Sequence, residues 1–357
     1  MKTRVMKATL EEYAYIYVKL SSLRPLLMTP EELGTKLRSY KDLKSIKSYI
    51  QQFYPTFEPR EETVLEYEWA LWDAYFRIIE KMIVMAPMAI QILVKTFLVK
   101  FEIWNLKIAI YGVIQKTGYD VRYGLVYDRP SIILDRYEFL GELLRSKSLS
   151  EIEKAVMNTP YQRIVKEGLE KYEETGEIFF LEQELDKFYF TNLMSRSASF
   201  PPEEKKFLDS FICQQIDYYT LNIIYRALYN KIPREIIEPY LLFNGLVFTK
   251  QEFLDLSRSK SMKTFFTKMG NILQHKKGYD FILEKLASRD PREWGKLSKQ
   301  LLRTFITRFQ HKIIGDIPLR SITLIFQMLL AKQLEIQEIY ARVVQIALAT
   351  DQPDRKK

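Results

Sequence analysis

Apolar residues return every three to five positions through long stretches of this chain, with polar residues between them. The pattern is clearest in three segments: FLVKFEIWNLKIAIYGV from Phe97, ICQQIDYYTLNIIYRAL from Ile212 and LLAKQLEIQEIYARVVQI from Leu329. Superposed on Glu102, Asp217 and Glu335, they share apolar columns. These are Phe97, Ile212 and Leu330 five positions before the acid, Phe101, Ile216 and Leu334 one before, and Leu106, Leu221 and Ile339 four after. A polar column, Lys100, Gln215 and Gln333, stands two before. Offsets that mix fours and fives predict the stripe of an amphipathic helix, since a strand would alternate at period two. Pro87, Pro201 with Pro202, and Pro318 precede the three acids at similar distances and are read as helix starts, where a missing N–H costs no hydrogen bond.

The three segments are copies of one unit. From position 102 to 217 is 115 residues, and from 217 to 335 is 118. An upstream block recurs at a matching interval: LGTKLRSYKDLKSI from Leu33, LGELLRSKSLSEIEKAV from Leu140 and FLDLSRSKSMKTFFTKM from Phe253 share Arg-Ser followed by a hydrophobic return. Further aromatic-rich helices are predicted from Val64 and Phe180, with a shorter counterpart, LLRTFITRF, from Leu301. The reading is an all-α protein of three diverged helical modules, 1–118, 119–232 and 233–357, with the turn residues of GYDVRYGLVYDRP marking the first join. Each module leaves an apolar face that must be covered, within itself or by a neighbour. Three modules closing about an axis would form a pseudo-threefold body with a central socket, and stacking would form a superhelix.

Composition narrows the class. Of 357 residues, 47% are hydrophobic and 14% aromatic, enough for a large core, and only 12 Gly and 14 Pro interrupt them. A single Cys, Cys213, excludes an internal disulfide framework and a multi-thiolate zinc site and points to an intracellular chain. Glu11 and Glu12 break any secretory h-region at the N-terminus. The most hydrophobic stretch, Met82 to Val99, is interrupted by Pro87, Gln91 and Lys95, and a core helix is expected in place of a membrane span. The net charge of +9 favours acidic partners over basic ones. Its positive residues are dispersed, and the small clusters at Lys276–Lys277 and Arg355 to Lys357 are expected to be solvated surface.

Catalytic signatures are missing. His275 and His311 have no convincing ligand neighbours, so no metal is expected. No phosphate-binding G-x-x-x-x-G-K-[ST], nucleophile elbow or dinucleotide fingerprint occurs, so neither a cofactor nor direct ATP binding is expected. Cys213 has no base beside it and is read as a buried structural thiol. Trp69, Trp72, Trp104 and Trp294 are read as core or interface material. A basic helical scaffold binding RNA, DNA or another acidic partner is the alternative reading. It rests on charge and aromatics alone, and nucleic acid is not the expected partner because the basic residues form no stripe. Glu102 and Asn105 share one helical face, and such acids are expected to accept hydrogen bonds at a module seam.

The run Phe101-Glu102-Ile103-Trp104-Asn105-Leu106-Lys107 resembles the signature of the C subunit of archaeal and bacterial V-type ATPases, the d subunit of eukaryotes. The second copy, Asp217 to Arg226, keeps the acid and the later Arg, Lys332 to Glu335 is similar to the family's closing element, and Leu140 to Tyr161 resembles its block ending in Thr-Pro-Tyr. Thr220 and Glu338 depart from the Asn of the first copy, and Tyr111 stands where an Arg could be carried. The resemblance implies a pseudo-threefold funnel at the cytoplasmic face of the membrane, peripheral to it. Its partners would be the central stalk and the proteolipid ring, and the chain would transmit torque between them without an active site. Glu102, Asn105, Asp217, Arg226 and Glu335 are its signature positions here, structural or interfacial in role.

Overall fold

The computed structural model describes residue 18 and residues 30–276 and 321–350. The Leu301 segment, Trp294, His311, Pro318, Lys277, the acids near the N-terminus and the basic C-terminus lie outside the described residues.

Every regular element among the described residues is helical. In chain order they are α1 (Pro30–Arg38), α2 (Leu43–Phe53), α3 (Val64–Met85), α4 (Met88–Ile114), α5 (Tyr119–Tyr123), α6 (Asp128–Ile133), α7 (Tyr137–Arg145), α8 (Leu149–Ala155), α9 (Gln162–Thr175), α10 (Phe179–Ser197), α11 (Pro202–Asn230) and α12 (Arg234–Ile237). A 3-10 turn follows at Glu238–Tyr240, then α13 (Lys250–Ser257), α14 (Met262–Leu273) and α15 (Ser321–Thr350).

The helix limits follow from local chemistry. Pro87 stands immediately before α4, and Pro201 and Pro202 stand at the start of α11. Pro87 thereby divides the hydrophobic stretch Met82 to Val99 between two helices, and no helix among the described residues is long and apolar enough to cross a membrane. The Arg-Ser block resolves into the same local form in each copy. A short helix ends, a few residues intervene, and an N-cap side chain opens a second helix by accepting a backbone N–H three residues on: Asp42 from Ser45, Ser148 from Glu151 and Ser261 from Thr264. The stretch from Gly118 holds α5 and α6 along with its turns.

From Phe97 on, α4 keeps one less buried face, with Trp104 exposed and Lys100, Lys107, Ile108 and Tyr111 partly buried along it, while Phe97, Phe101, Ile103, Leu106 and Ile110 are buried on the rest of its surface. Its neighbours are α3, α5, α6, α7 and α8.

The chain divides into two compact units, residues 1–182 with 319–357, and residues 183–318. In the first, Phe76, Phe101, Trp72 and Tyr127 form a ring cluster with centroids 4.7 Å apart for Phe76–Phe101 and 5.5 Å for Trp72–Phe101. Edge-to-face contacts of this kind add to the burial of apolar area. The second unit is centred on α11, with Phe211, Ile216, Leu221 and Ile224 buried beside Phe253, Phe265 and Met269 of α13 and α14.

Within these units one packing relation occurs three times. The long helix α4 packs on the short pair α7 and α8, α11 packs on α13 and α14, and α15 packs on α1 and α2. Each long helix thus meets the next Arg-Ser block along the chain, and the last long helix meets the first such block. The repeat marks a period of the sequence, whereas the units mark where contacts are dense.

Candidate functional site: the buried acids of the long helices

The polar heart of each long helix is its column acid. Glu102 is 1% exposed, Asp217 2% and Glu335 4%. A carboxylate withdrawn from water must be hydrogen-bonded or paired, and the three copies meet this demand differently.

In α4, Glu102 Oε1 accepts from Arg136 Nη1 and from the Tyr161 hydroxyl, both at 2.5 Å. Arg136 precedes α7 and Tyr161 follows α8, so both donors come from the block on which α4 packs. Burial and the adjacent carboxylate hold the Tyr161 hydroxyl well above its ordinary pKa. One turn on, Asn105 makes a paired contact with the backbone of Tyr127: Nδ2 donates to the carbonyl at 2.6 Å and Oδ1 accepts from the N–H at 2.9 Å.

In α11, no arginine among the described residues pairs with Asp217. Its Oδ2 accepts from the backbone N–H groups of Leu246 (2.9 Å) and Val247 (2.8 Å), and its Oδ1 from Phe248 (3.2 Å). Burial pushes its pKa up to about 7, against the pull of those three donors and of the Lys276 charge. Gly245 makes the close approach possible, because a Cβ there would stand 2.1 Å from Asp217 Oδ1. Thr220, in the column of Asn105, donates to the carbonyl of Leu242 at 2.9 Å.

In α15, Glu335 accepts from Lys332 Nζ at 3.0 Å, and both residues are buried. The Lys332 ammonium also lies 4.5 Å from the centre of the Tyr54 ring. Burial first, and Glu335 second, raise the Tyr54 hydroxyl well above its ordinary pKa. Tyr54 follows α2 as Tyr161 follows α8, so in two copies the same position of the next block closes on the acid.

Arginines cap the blocks as well. Arg122 Nη1 donates to the Ser146 carbonyl at the end of α7 at 2.7 Å, and Arg342 donates to the carbonyls of Leu37 (3.0 Å) and Tyr40 (2.6 Å) at the end of α1. Gly112 leaves room for the Arg122 side chain, which would stand 2.1 Å from a Cβ.

The structure therefore gathers Glu102 and Asn105 at one seam, Asp217 at a second and Glu335 at a third. Arg226 is exposed on α11, away from the buried face that carries Asp217. Periodicity missed Arg136, Gly245 and Arg342; Tyr161 entered only as part of a quoted block. A shared offset was the available signal, since Asn105 reaches Tyr127 and Thr220 reaches Leu242, each 22 residues downstream.

The other candidates are ordinary. Cys213 is half-buried, less enclosed than expected, and burial pushes its thiol up to about 11, far from a nucleophile's range. His275 is exposed. No group of three metal-ligating side chains occurs among the described residues. Lys276 is paired with Glu252 at 3.0 Å, in place of the solvated surface expected of it. Trp104 is 48% exposed, with its indole N–H donating to the Leu125 carbonyl at 3.3 Å.

Helices, seams and buried acids together describe a framework, and comparison with known proteins gives it a family. The profile of the ATP synthase (C/AC39) subunit family matches residues 16–348. The chain belongs to that family. Among curated members, the A-type ATP synthase C subunit of Methanobrevibacter smithii is 32% identical over 34% of this chain and 32% of its own length. The protein of the same name from Methanosarcina acetivorans is 22% identical over 71% of this chain and 70% of its own, and that of Pyrococcus horikoshii 22% over 66% and 61%. The match to the Methanobrevibacter relative spans about a third of that protein's length. Family membership accords with the all-α fold.

Proposed function

We propose that this chain is the C subunit of an archaeal or bacterial rotary ATP synthase or V-type ATPase. In that role it is a non-catalytic coupler that joins the central stalk to the membrane proteolipid ring during ion transport. The observation that carries this reading is the family match over nearly the whole chain, and the names of the relatives support it. The three-module organisation, 1–118, 119–232 and 233–357, and a pseudo-threefold arrangement belong to the same proposal. The recurring pattern of long helix on following block, with the last helix on the first block, supports them.

Mechanically, a coupler must resist shear between its elements. Close-packed helices, ring clusters and buried acids bonded across seams supply that stiffness. In this reading the signature acids hold the seams and pass no protons across the membrane. The chain would lie peripherally at the cytoplasmic face of the membrane.

Affinity purification of the chain from membranes of its own source cell tests the proposal. Recovery of stalk and proteolipid subunits in constant ratio is the expected result. Recovery of the chain alone, in cells that contain the other subunits, would overturn it.

A further inference from the structure

The corner between α1 and α2 carries charge of one sign. Residues 35–52 hold five cations, Lys36, Arg38, Lys41, Lys44 and Lys47, against a single acid, Asp42. That acid is already engaged, since as the N-cap of α2 its carboxylate accepts the Ser45 N–H at 2.7 Å and the Ser45 hydroxyl at 2.9 Å. Lys36, Arg38, Lys41 and Lys44 are exposed, and Lys47 is half-buried. None of the five has an ion pair among the described residues, and Arg38 only donates from Nε to the Gly34 carbonyl at 3.1 Å. A sixth cation, Arg342 of α15, is fixed at the same corner by the carbonyls of Leu37 and Tyr40.

The other two blocks provide a comparison within the chain. The equivalent residues of the second, 141–158, hold three cations, Arg145, Lys147 and Lys154, and three acids, Glu142, Glu151 and Glu153. In the third, 254–271, four cations accompany Asp255, which pairs with Lys268 at 2.7 Å and leaves Arg258, Lys260 and Lys263. All three blocks share one local form, so helix geometry does not require the excess on the first. Nor does packing require it, because α2 buries Ile46, Tyr49 and Ile50 and leaves Lys44, Ser48, Gln51 and Gln52 exposed.

What the corner lacks decides its partner. No large apolar side chain described between residues 33 and 53 is exposed. A specific protein interface needs an apolar or aromatic anchor at its centre, and lysine is depleted there. Four of the five cations are lysines, point charges on flexible stems that require no fixed acceptor geometry. An anionic lipid surface asks only for summed positive charge within reach of its phosphates, about fivefold in affinity for each cation. We propose that the α1–α2 corner is a docking surface for an anionic phospholipid membrane, with Lys36, Arg38, Lys41, Lys44 and Lys47 meeting the lipid phosphates. This deepens the function proposed above, on which it rests for the nearness of a membrane. The corner then adds an electrostatic contact with the bilayer to the contacts the chain makes with other subunits.

Sedimentation of the purified intact chain with vesicles tests it. Binding is expected to phosphatidylcholine vesicles containing about one third phosphatidylglycerol, weakening steeply between about 50 mM and about 500 mM salt, with none to phosphatidylcholine alone. Lys41→Glu combined with Lys44→Glu is expected to weaken it about tenfold or more. Lys147→Glu combined with Lys154→Glu makes the same change of charge in the balanced second block and is expected to leave binding within about twofold. Equal losses in the two double variants would show that net charge binds the vesicles and would overturn the proposal, as would no binding to the anionic vesicles at the lower salt. Tighter binding to duplex DNA or to poly-glutamate than to vesicles of equal accessible charge overturns it too. Should the Lys41 and Lys44 variant fail to fold, Lys36→Gln combined with Lys44→Gln carries the same expectation. Recovery of stalk and proteolipid subunits reads a different contact, so either reading fails without the other.

Discussion

The side chain of Asn105 forms a closed pair of hydrogen bonds with the backbone of Tyr127, donating to its carbonyl at 2.6 Å and accepting from its N–H at 2.9 Å. It takes the place of a strand partner for one residue of a loop that runs over a buried helix. Asn105→Ala removes both bonds from the Tyr127 backbone at a part-buried site. A loss of about 2–3 kcal/mol is expected, readable as a lowered urea midpoint. Thr220→Val removes one bond, to Leu242, and is expected to cost about 1 kcal/mol.

Glu102 is the acceptor for two donors from one neighbouring block. Tyr161→Phe removes a buried hydroxyl with its partner still in place and is expected to destabilise by about 1–2 kcal/mol. Glu102→Gln strips the charge from both contacts and is expected to cost more, about 2–4 kcal/mol. A double-mutant cycle between these two positions should give a coupling energy above about 0.5 kcal/mol, whereas additive losses would show that the Tyr161 bond contributes nothing.

Gly245 is fixed by sterics, since the nearest atoms to an added Cβ are Asp217 Oδ1 at 2.1 Å and the Phe248 carbonyl oxygen at 2.7 Å. Gly245→Ala must push the loop off the acid and break its N–H contacts. A loss of at least about 2 kcal/mol is expected in thermal unfolding. The same change at Gly34, where a Cβ meets nothing within 4 Å, should be close to neutral.

Asp217 gives the second unit a pH dependence of its own. Its folded pKa is raised to about 7 from 3.8, so the folded chain holds a proton that the unfolded chain has released. The stability it contributes is full below about 3.8 and is lost as pH rises through about 7. Comparison of wild type with Asp217→Asn from pH 4 to 8, by hydrogen exchange of α11, α13 and α14 peptides, should show protection falling with pH only in the wild type.

Much of the scaffold was legible in the chain. Leu106, Leu221 and Ile339 recur at one offset because a helix buries the same face at every turn, so the type of element and the places of its acids could be read from spacing. Prolines and Arg-Ser blocks likewise act through neighbouring backbone and announce helix limits locally. Even the three column acids could be named, since carboxylates in apolar helices are rare enough to stand out.

What they bind could not be named, because partners distant in sequence are set by packing. Glu102 meets an arginine and a tyrosine, Asp217 three backbone N–H groups, and Glu335 a lysine on its own helix. Three solutions serve one column, so the residue type at the acid does not determine its donor. The exposed face of Arg226 and the meeting of Lys100 with Gln333 were also decided by tertiary structure. Spacing along one helix records which residues share a face, and only the arrival of other helices decides whether that face meets water, a ring or a second copy of itself.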